Sequence, residues 1–412
     1  MYYSNLQEKI LRKKITTCIV GLGYVGLPLL KLLIKNKIRC IGIDKDKKKI
    51  NLLKKQIKNK VFLSTNYKNL KKADLIIYSL PTPLDKNNNP DLKILNDSIK
   101  ESLPNYKKGQ LIILESTSYP GTTRESLKNV IKNFSIGQDF FIGYSPERID
   151  PGNKLYSIQN IPKISSGYTK GCRDLTYLFF SKLIKKVVNA SSIEVAEFTK
   201  IYENIFRSIN IGLANETKQI AKKLKINFGE VLDLASSKPF GFMRFDPGPG
   251  VGGHCIPVDP FYLSWLANKK GFQTKFIKLS GQINSNMPKI ISREIISYLK
   301  KKNFLNPKVL MLGISYKKNI DDLRNSPGVE IFKNLKRKLQ IDFEDKYVKI
   351  LTKKDEKFLS KKIKNFSSVK SYDAVILATD HDYFDYKKIL KNSNLIFDLR
   401  NKFSQTDKVI KL

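Results

Sequence analysis

An α/β fold, with two doubly wound parallel sheets flanking an all-helical middle, is predicted by three features of the sequence. Short apolar, β-branched runs alternate with helical stretches from the start, which argues for βαβ units. The first such run ends in a glycine-rich turn that opens a helix. The centre carries a long stretch of helical periodicity before strand-like runs return in the last third.

Residues 15–20 form the first predicted strand, and a helix over 24–35 follows, with Val25, Leu27, Leu29, Leu30, Leu33 and Ile34 apolar. Further strands are expected at 38–43, 75–80, 111–115 and 140–144. Over 192–225 the pattern is helical, with Val195, Phe198, Ile201, Ile205, Ile209 and Leu213 at helical spacing. A second helical region spans 257–300, and strands return at 308–313, 373–378 and 394–398. The division expected is 1–191, 192–303 and 304–412, with Rossmann-like first and last parts and a central part for oligomerisation.

Composition narrows the function. The chain has 412 residues, 41% hydrophobic and 27% charged, enough to bury a large core without staples. There is no apolar run of about 18 residues, and Met1 to Lys14 is polar, without the apolar core of a secretory leader, so a cytoplasmic protein is expected. The four cysteines form no Cys-x-x-Cys pair, and with two histidines no metal site is expected. The net charge of +39 suggests nucleic acid at first. The lysines, however, are spread along the whole chain, with no basic stripe interleaved with aromatics, so neither a nucleic-acid nor a membrane partner is expected. An electropositive surface still attracts anionic nucleotides.

The turn after the first strand reads Gly21-Leu22-Gly23-Tyr24-Val25-Gly26. Gly21 permits a tight turn, Gly23 lets backbone approach a pyrophosphate, and Gly26 lets the helix pack on the strand. The helix start offers N–H groups to phosphates. Asp44 ends the next strand about 20 residues on, where a carboxylate bonds ribose hydroxyls and repels a 2′-phosphate, so NAD is the expected cofactor.

The stretch 245–260 (FDPGPGVGGHCIPVDP) is too rich in Gly and Pro for a core element. It exposes Cys255, with Asp259 four residues later. A thiolate at a helix start is stabilised by the dipole and becomes a better nucleophile. Cys18, Cys40 and Cys172 read as small buried hydrophobes.

Taken together, Gly21–Gly26, Pro81-Thr82-Pro83, Glu115-Ser116-Thr117, Ser145-Pro146-Glu147, Lys200-x-x-x-Asn204, Gly252-Gly253-His254-Cys255 and Tyr316-Lys317-Lys318 with Asp322-Leu323-Arg324 resemble the UDP-glucose/UDP-N-acetylhexosamine dehydrogenase family. The resemblance runs in order from about residue 15 to residue 403. The stretches 144–152, 238–242 and 378–382 look like the branch that oxidises UDP-N-acetyl-D-glucosamine at C6; UDP-glucose, UDP-N-acetylgalactosamine and UDP-N-acetylmannosamine remain open, because pocket shape discriminates hydroxyl stereochemistry. Where UDP-glucose dehydrogenases typically carry a second Glu four residues after Glu147, this chain has Pro151.

The resemblance implies two successive oxidations with NAD. It gives Asp259 and Thr117 a water for proton removal, Cys255 the thiohemiacetal and thioester, Glu147 the hydrolysis, and Lys200 and Asn204 the oxyanion. On the cofactor side it places Gly21, Gly23, Tyr24, Val25, Gly26, Asp44, Thr82, Thr117 and Arg324. On the sugar-nucleotide side it places Glu147, Arg148, Lys200, Asn204, Arg207, Asn210, Gly252 and Lys317. It also implies a homodimer or higher homo-oligomer built on the helix from Ser192, and a product used for a surface polysaccharide such as an O-antigen. Thr117 could instead cap a helix, and Glu147, Lys200 and Lys317 could be ordinary surface charges.

Overall fold

The structure, a computed structural model, describes residues 1–57, 61–149, 156–353, 356–361, 363 and 366–412. The chain forms two compact units, residues 1–203 with 261–270 and residues 204–260 with 271–412.

The first unit runs α1 (Tyr2–Leu11), β1 (Thr16–Val20), α2 (Gly26–Lys35), β2 (Arg39–Ile43), α3 (Lys47–Ile57), β3 (Phe62–Ser64), β4 (Leu75–Tyr78), α4 (Lys93–Ser102), β5 (Leu111–Leu114), α5 (Thr122–Ser126), α6 (Lys128–Asn133), β6 (Phe141–Tyr144), β7 (Lys163–Gly167), α7 (Lys170–Ser181) and β8 (Val187–Asn189). The strands form one sheet in the order β3-β2-β1-β4-β5-β6-β7-β8. Alternate residues feed opposite faces: Ile19, Ile77 and Ile113 enter one apolar core, Val20, Ile76 and Ile112 the other. Coverage on both faces is why these strands read as continuous apolar runs.

Two features depart from the sequence reading. The sheet is not wholly parallel: β7 runs antiparallel to β6, with Gly143 opposite Gly167. Among the described residues no helix links β6 to β7, and an antiparallel return needs no crossover. The polar start is also folded: α1 buries Leu6 and Ile10.

From the first unit the chain enters α8 (Ile193–Lys223), an unbroken helix in which the division between units falls after Glu203. Then come α9 (Phe228–Ala235), α10 (Asp259–Lys269) and α11 (Lys275–Lys301). The predicted single helical region over 257–300 is thus two helices, separated at Gly271, whose φ of +78° lies in the left-handed region that ends helices.

The second unit closes on β9 (Lys308–Leu312), α12 (Pro327–Lys336), β10 (Gln340–Glu344), the hairpin β11 (Ile350–Lys353) and β12 (Glu356–Leu359), then β13 (Ala374–Leu377), α13 (Tyr386–Asn392), β14 (Ile396–Asp398) and β15 (Val409–Lys411). Five strands make a parallel sheet in the order β10-β9-β13-β14-β15. Each sheet reverses strand order once, between β1 and β4 and between β9 and β13, and open α/β sheets take ligands beyond the strand ends at such points.

Candidate active site

The loop between β1 and α2 is shaped by backbone crowding. Gly21 has φ +94°, and a Cβ there would lie 2.6 Å from the Ser79 carbonyl oxygen. A Cβ on Gly26 would lie 2.0 Å from the Gly21 oxygen, so only glycine lets α2 start this close to β1. At Gly23 a Cβ would meet nothing within 4 Å. Gly23 is therefore not required by the protein's own packing, and the open space beside it is where a pyrophosphate fits. α2 starts after Val25 without a side-chain cap; its Leu27 N–H is taken by the Gly23 carbonyl at 3.1 Å, and the positive end of its dipole faces this loop.

Asp44 follows β2 and accepts from the Leu22 N–H (3.0 Å), the Asp46 N–H (3.0 Å) and Lys49 Nζ (2.8 Å). Burial pushes its carboxyl up, but these donors overcome burial and hold it below the usual range. The carboxylate is thus ionised and tied to the glycine loop. Thr82, beyond β4, donates its hydroxyl to the Thr117 carbonyl at 2.6 Å, bringing these two predicted residues together. Thr117 caps no helix, since the N-cap of α5 is Gly121.

Glu147 lies beyond β6 and is buried. Its Oε1 accepts from the N–H groups of Arg148 and Ile149, each at 2.8 Å, and its Oε2 from Lys163 Nζ at 2.8 Å. Arg148 pairs with Glu203 on α8 at 2.6 Å. The surface-charge alternative for Glu147 is thereby excluded. Lys163 also contacts Glu115 Oε1 at 2.7 Å, and Ser79 donates to Glu115 Oε2 at 3.0 Å. The sequence offered no signal for Lys163: in a lysine-rich chain one more lysine before an apolar residue is unremarked. Pro151 lies outside the described residues.

On α8, Lys200 and Asn204 are one turn apart. Lys200 is only 8% exposed, and among the described residues its amine has no hydrogen-bond or ion-pair partner. Within the second unit Asn204 Nδ2 donates to Asp259 Oδ2 at 2.6 Å, and Asn204 Oδ1 accepts from Arg207 at 2.9 Å. Asn204 and Asp259 are each 1% exposed. Asn210 spends its amide on the Phe206 carbonyl. Cys255 is exposed and stands one turn ahead of α10 rather than inside it; its carbonyl accepts from Asp259 N–H at 2.8 Å. The preceding glycines are squeezed: a Cβ on Gly252 would lie 2.5 Å from Tyr316 Cβ. The Gly253 N–H donates to the Arg324 carbonyl, and Asn325 Nδ2 to the Gly253 carbonyl. This loop is thereby tied to the one after β9 that carries Lys317 and Arg324. Arg324 forms a fork onto Asp322 at 2.6–3.1 Å. Burial, with Arg324 nearby, pushes the His254 ring pKa down against the opposing charge of Asp322.

The second sheet repeats the first site's wiring. Gly313 N–H donates to the Glu344 carbonyl as Gly21 N–H does to that of Ile43, each at 2.8 Å. Asp345 then accepts from the Ile314 N–H at 2.8 Å, as Asp44 does from Leu22. The difference is His381. Its Nδ1 accepts from Asn319 N–H, so Nε2 carries the proton and donates to Asp345 Oδ2 at 3.0 Å. The Asp345 side chain is 0% exposed against 12% for Asp44, so the second carboxylate is sealed.

Among the described residues no group of three or more His, Cys, Asp or Glu is placed to hold a metal ion, and no helix is long and apolar enough to cross a membrane.

Residues 15–183 match the NAD binding domain of the UDP-glucose/GDP-mannose dehydrogenase family, residues 194–286 its central domain and residues 310–405 its UDP binding domain. The chain is 36% identical to Protein CapL of Staphylococcus aureus over 93% of its own length and 95% of that protein's. It is 34% identical to a UDP-N-acetyl-D-glucosamine 6-dehydrogenase of Pseudomonas aeruginosa, over 94% and 97% of the two chains. Its fold matches the structure of a UDP-D-ManNAc dehydrogenase from Pyrococcus horikoshii with a TM-score of 0.84, at 27% identity, covering 95% and 97%. With an NAD-binding, a central and a UDP-binding domain matched in order along its length, the chain belongs to the UDP-glucose/GDP-mannose dehydrogenase family and is an NAD-dependent UDP-sugar dehydrogenase.

Proposed function

We propose that this chain oxidises the C6 alcohol of UDP-N-acetyl-D-glucosamine to a carboxylate in two steps, through an adduct on Cys255. The observation that carries the reading is an exposed thiol one turn ahead of α10, whose first residue, Asp259, is buried and hydrogen-bonded to Asn204. The branch-specific stretches at 144–152, 238–242 and 378–382 and the P. aeruginosa relative support this sugar. UDP-N-acetylmannosamine is the second reading, favoured by the likeness to the P. horikoshii enzyme.

NAD, when bound at the Gly21–Gly26 loop with Asp44, Thr82 and Thr117, supplies the hydride acceptor for both oxidations. Proton removal from the alcohol falls to a water served by Asp259 and Thr117, giving the aldehyde. The Cys255 thiolate adds to the aldehyde carbon, and the new C–S bond leaves an oxyanion on C6. Lys200, a buried residue whose amine has no partner among the described residues, and the second N–H of Asn204 stabilise that charge. The second oxidation turns the thiohemiacetal into a thioester. Ionised Glu147 then takes a proton from water as the C–O bond forms and the C–S bond breaks, returning the thiolate and releasing the uronate. Arg148, Arg207, Asn210, Gly252 and Lys317 serve the sugar nucleotide in this reading, and Arg324 the cofactor side. The segment 192–303 acts as the dimerisation part, and the product supplies a surface polysaccharide.

The test is NADH formed per sugar consumed, with UDP-N-acetylglucosamine, UDP-N-acetylmannosamine and UDP-glucose side by side. Two NADH per UDP-N-acetylglucosamine, with turnover lost by about 10³-fold or more in Cys255→Ala, is expected, as for removal of a covalent nucleophile. One NADH per sugar, or indifference to Cys255, sinks the thioester route; preference for another sugar overturns the substrate alone.

A further inference from the structure

Lys163, the first residue of β7, places its ammonium between Glu115 and Glu147, at 2.7 and 2.8 Å. The three side chains are 5, 0 and 8% exposed. The Phe180 ring stands 5.0 Å from Nζ. The cluster lies beyond the C-terminal ends of β5 and β6, on the ligand-binding edge of the sheet.

A buried lysine needs one counter-ion, and this one has two. The two carboxylates are held differently. Glu115 is fixed by Lys163 and the Ser79 hydroxyl. Glu147 has Lys163 on one oxygen and two backbone N–H groups on the other. Among the described residues, the charged groups tied to Glu147 or to its neighbours are Lys163 of β7, Glu115 beyond β5, and Arg148 with its partner Glu203 of α8.

We propose that Lys163 is a positioning residue for the hydrolytic half of the reaction, holding Glu147 ionised and aimed, while Glu115 takes over as the counter-ion whenever Glu147 carries a proton. This rests on the assignment of Glu147 to thioester hydrolysis. As water adds to the thioester carbon its proton moves to Glu147, the C–S pair returns to Cys255, and Lys163 keeps one carboxylate throughout. Glu147 then passes the proton to solvent and recovers its bond to Lys163. The protonation tendencies agree. Burial pushes Glu115 up; it pushes Glu147 up as well, but there Lys163 and the N–H groups of Arg148 and Ile149 win and hold it low. Pairs of carboxyls pushed apart in this way have distinct acid–base roles.

The experiment compares wild type, Glu147→Gln, Lys163→Met, Lys163→Arg and Glu115→Gln in the full chain. It measures the first-turnover NADH burst, the mass of the Cys255 adduct after quenching, and the pH profile of kcat. Glu147→Gln is expected to give a burst and an accumulated adduct. In Lys163→Met the burst survives, steady-state turnover falls about 100-fold, as for loss of a general base, and the acidic limb moves to higher pH. Lys163→Arg restores the limb. Glu115→Gln moves it the opposite way, to lower pH, because a protonated Glu147 then leaves Lys163 without a counter-ion; this variant decides the matter if Lys163→Met does not fold. Unmoved limbs and no adduct in the folded Lys163 and Glu115 variants, beside an adduct in Glu147→Gln, overturn the role of Lys163 alone. Absence of the adduct in Glu147→Gln overturns the assignment of Glu147 and the proposal with it.

Discussion

Glu197 of α8 accepts from the Gly121 N–H (2.6 Å), the Thr123 N–H (2.8 Å) and the Thr123 hydroxyl (2.6 Å), completing the start of α5 from another helix. Burial pushes its carboxyl up to about 7 despite these donors. A group raised on folding adds stability below its unfolded pKa, near 4.5, and loses it as pH rises through its folded value. Thermal melts from pH 4.5 to 8 are therefore expected to show wild type losing stability relative to Glu197→Gln by at most ~3 kcal/mol, at about 1.4 kcal/mol per unit, with most of the change below pH 7. A parallel pair of curves would show that Glu197 stays ionised. Legibility at this scale followed backbone constraint. Gly21, Gly26 and Asp44 were readable because a tight turn and a strand end tolerate few residue types there. Lys163 and Glu197 were not, because their importance lies in what surrounds them after folding, and a lysine or glutamate bound for the interior looks in sequence like one bound for solvent.

At the scale of elements, α8 was the easiest to read and has two apolar sides. Ile201 and Ile205 are buried in the chain. Val195, Phe198, Tyr202, Phe206, Leu213 and Ile220 are exposed, at separations of three, four and seven that keep them on one side of a helix. An apolar stripe of this length is a candidate interface between copies. Light scattering is expected to give twice 47.3 kDa for wild type and to fall toward 47.3 kDa for Phe198→Lys combined with Leu213→Lys. A monomeric wild type would leave the stripe unexplained. The elements missed by sequence share a reason. β7 (KISSG) begins with a charge and has two serines among its five residues, β8 has three residues, and α1 buries only Leu6 and Ile10. Each is recognisable only by its partner: β7 by the antiparallel edge of β6, α1 by the face it covers.

At the scale of the whole molecule, each unit has its own sheet with an apolar core on either face. Family matches put NAD binding in the first and UDP binding in the second. Calorimetry is expected to resolve two transitions, one raised by NAD and the other by UDP, each ligand adding about 2.7 kcal/mol at a hundredfold excess over Kd. A single transition moved equally by either ligand would contradict this. Composition was the least informative level: a charge of +39 describes the surface and says nothing of the fold.

The sealing of Asp345 by His381 reaches into the kinetics. Of the two sheets with the same strand-end wiring, the described residues leave the carboxylate open in the first alone, which gives one open berth of this kind, while the reaction proposed above takes two dinucleotides per sugar. The reduced dinucleotide must depart and a fresh one arrive midway, at a moment when the half-finished sugar is an aldehyde or its adduct. On that proposal, the dwell time of the exchange is the least time for which the sugar has to stay tethered to Cys255.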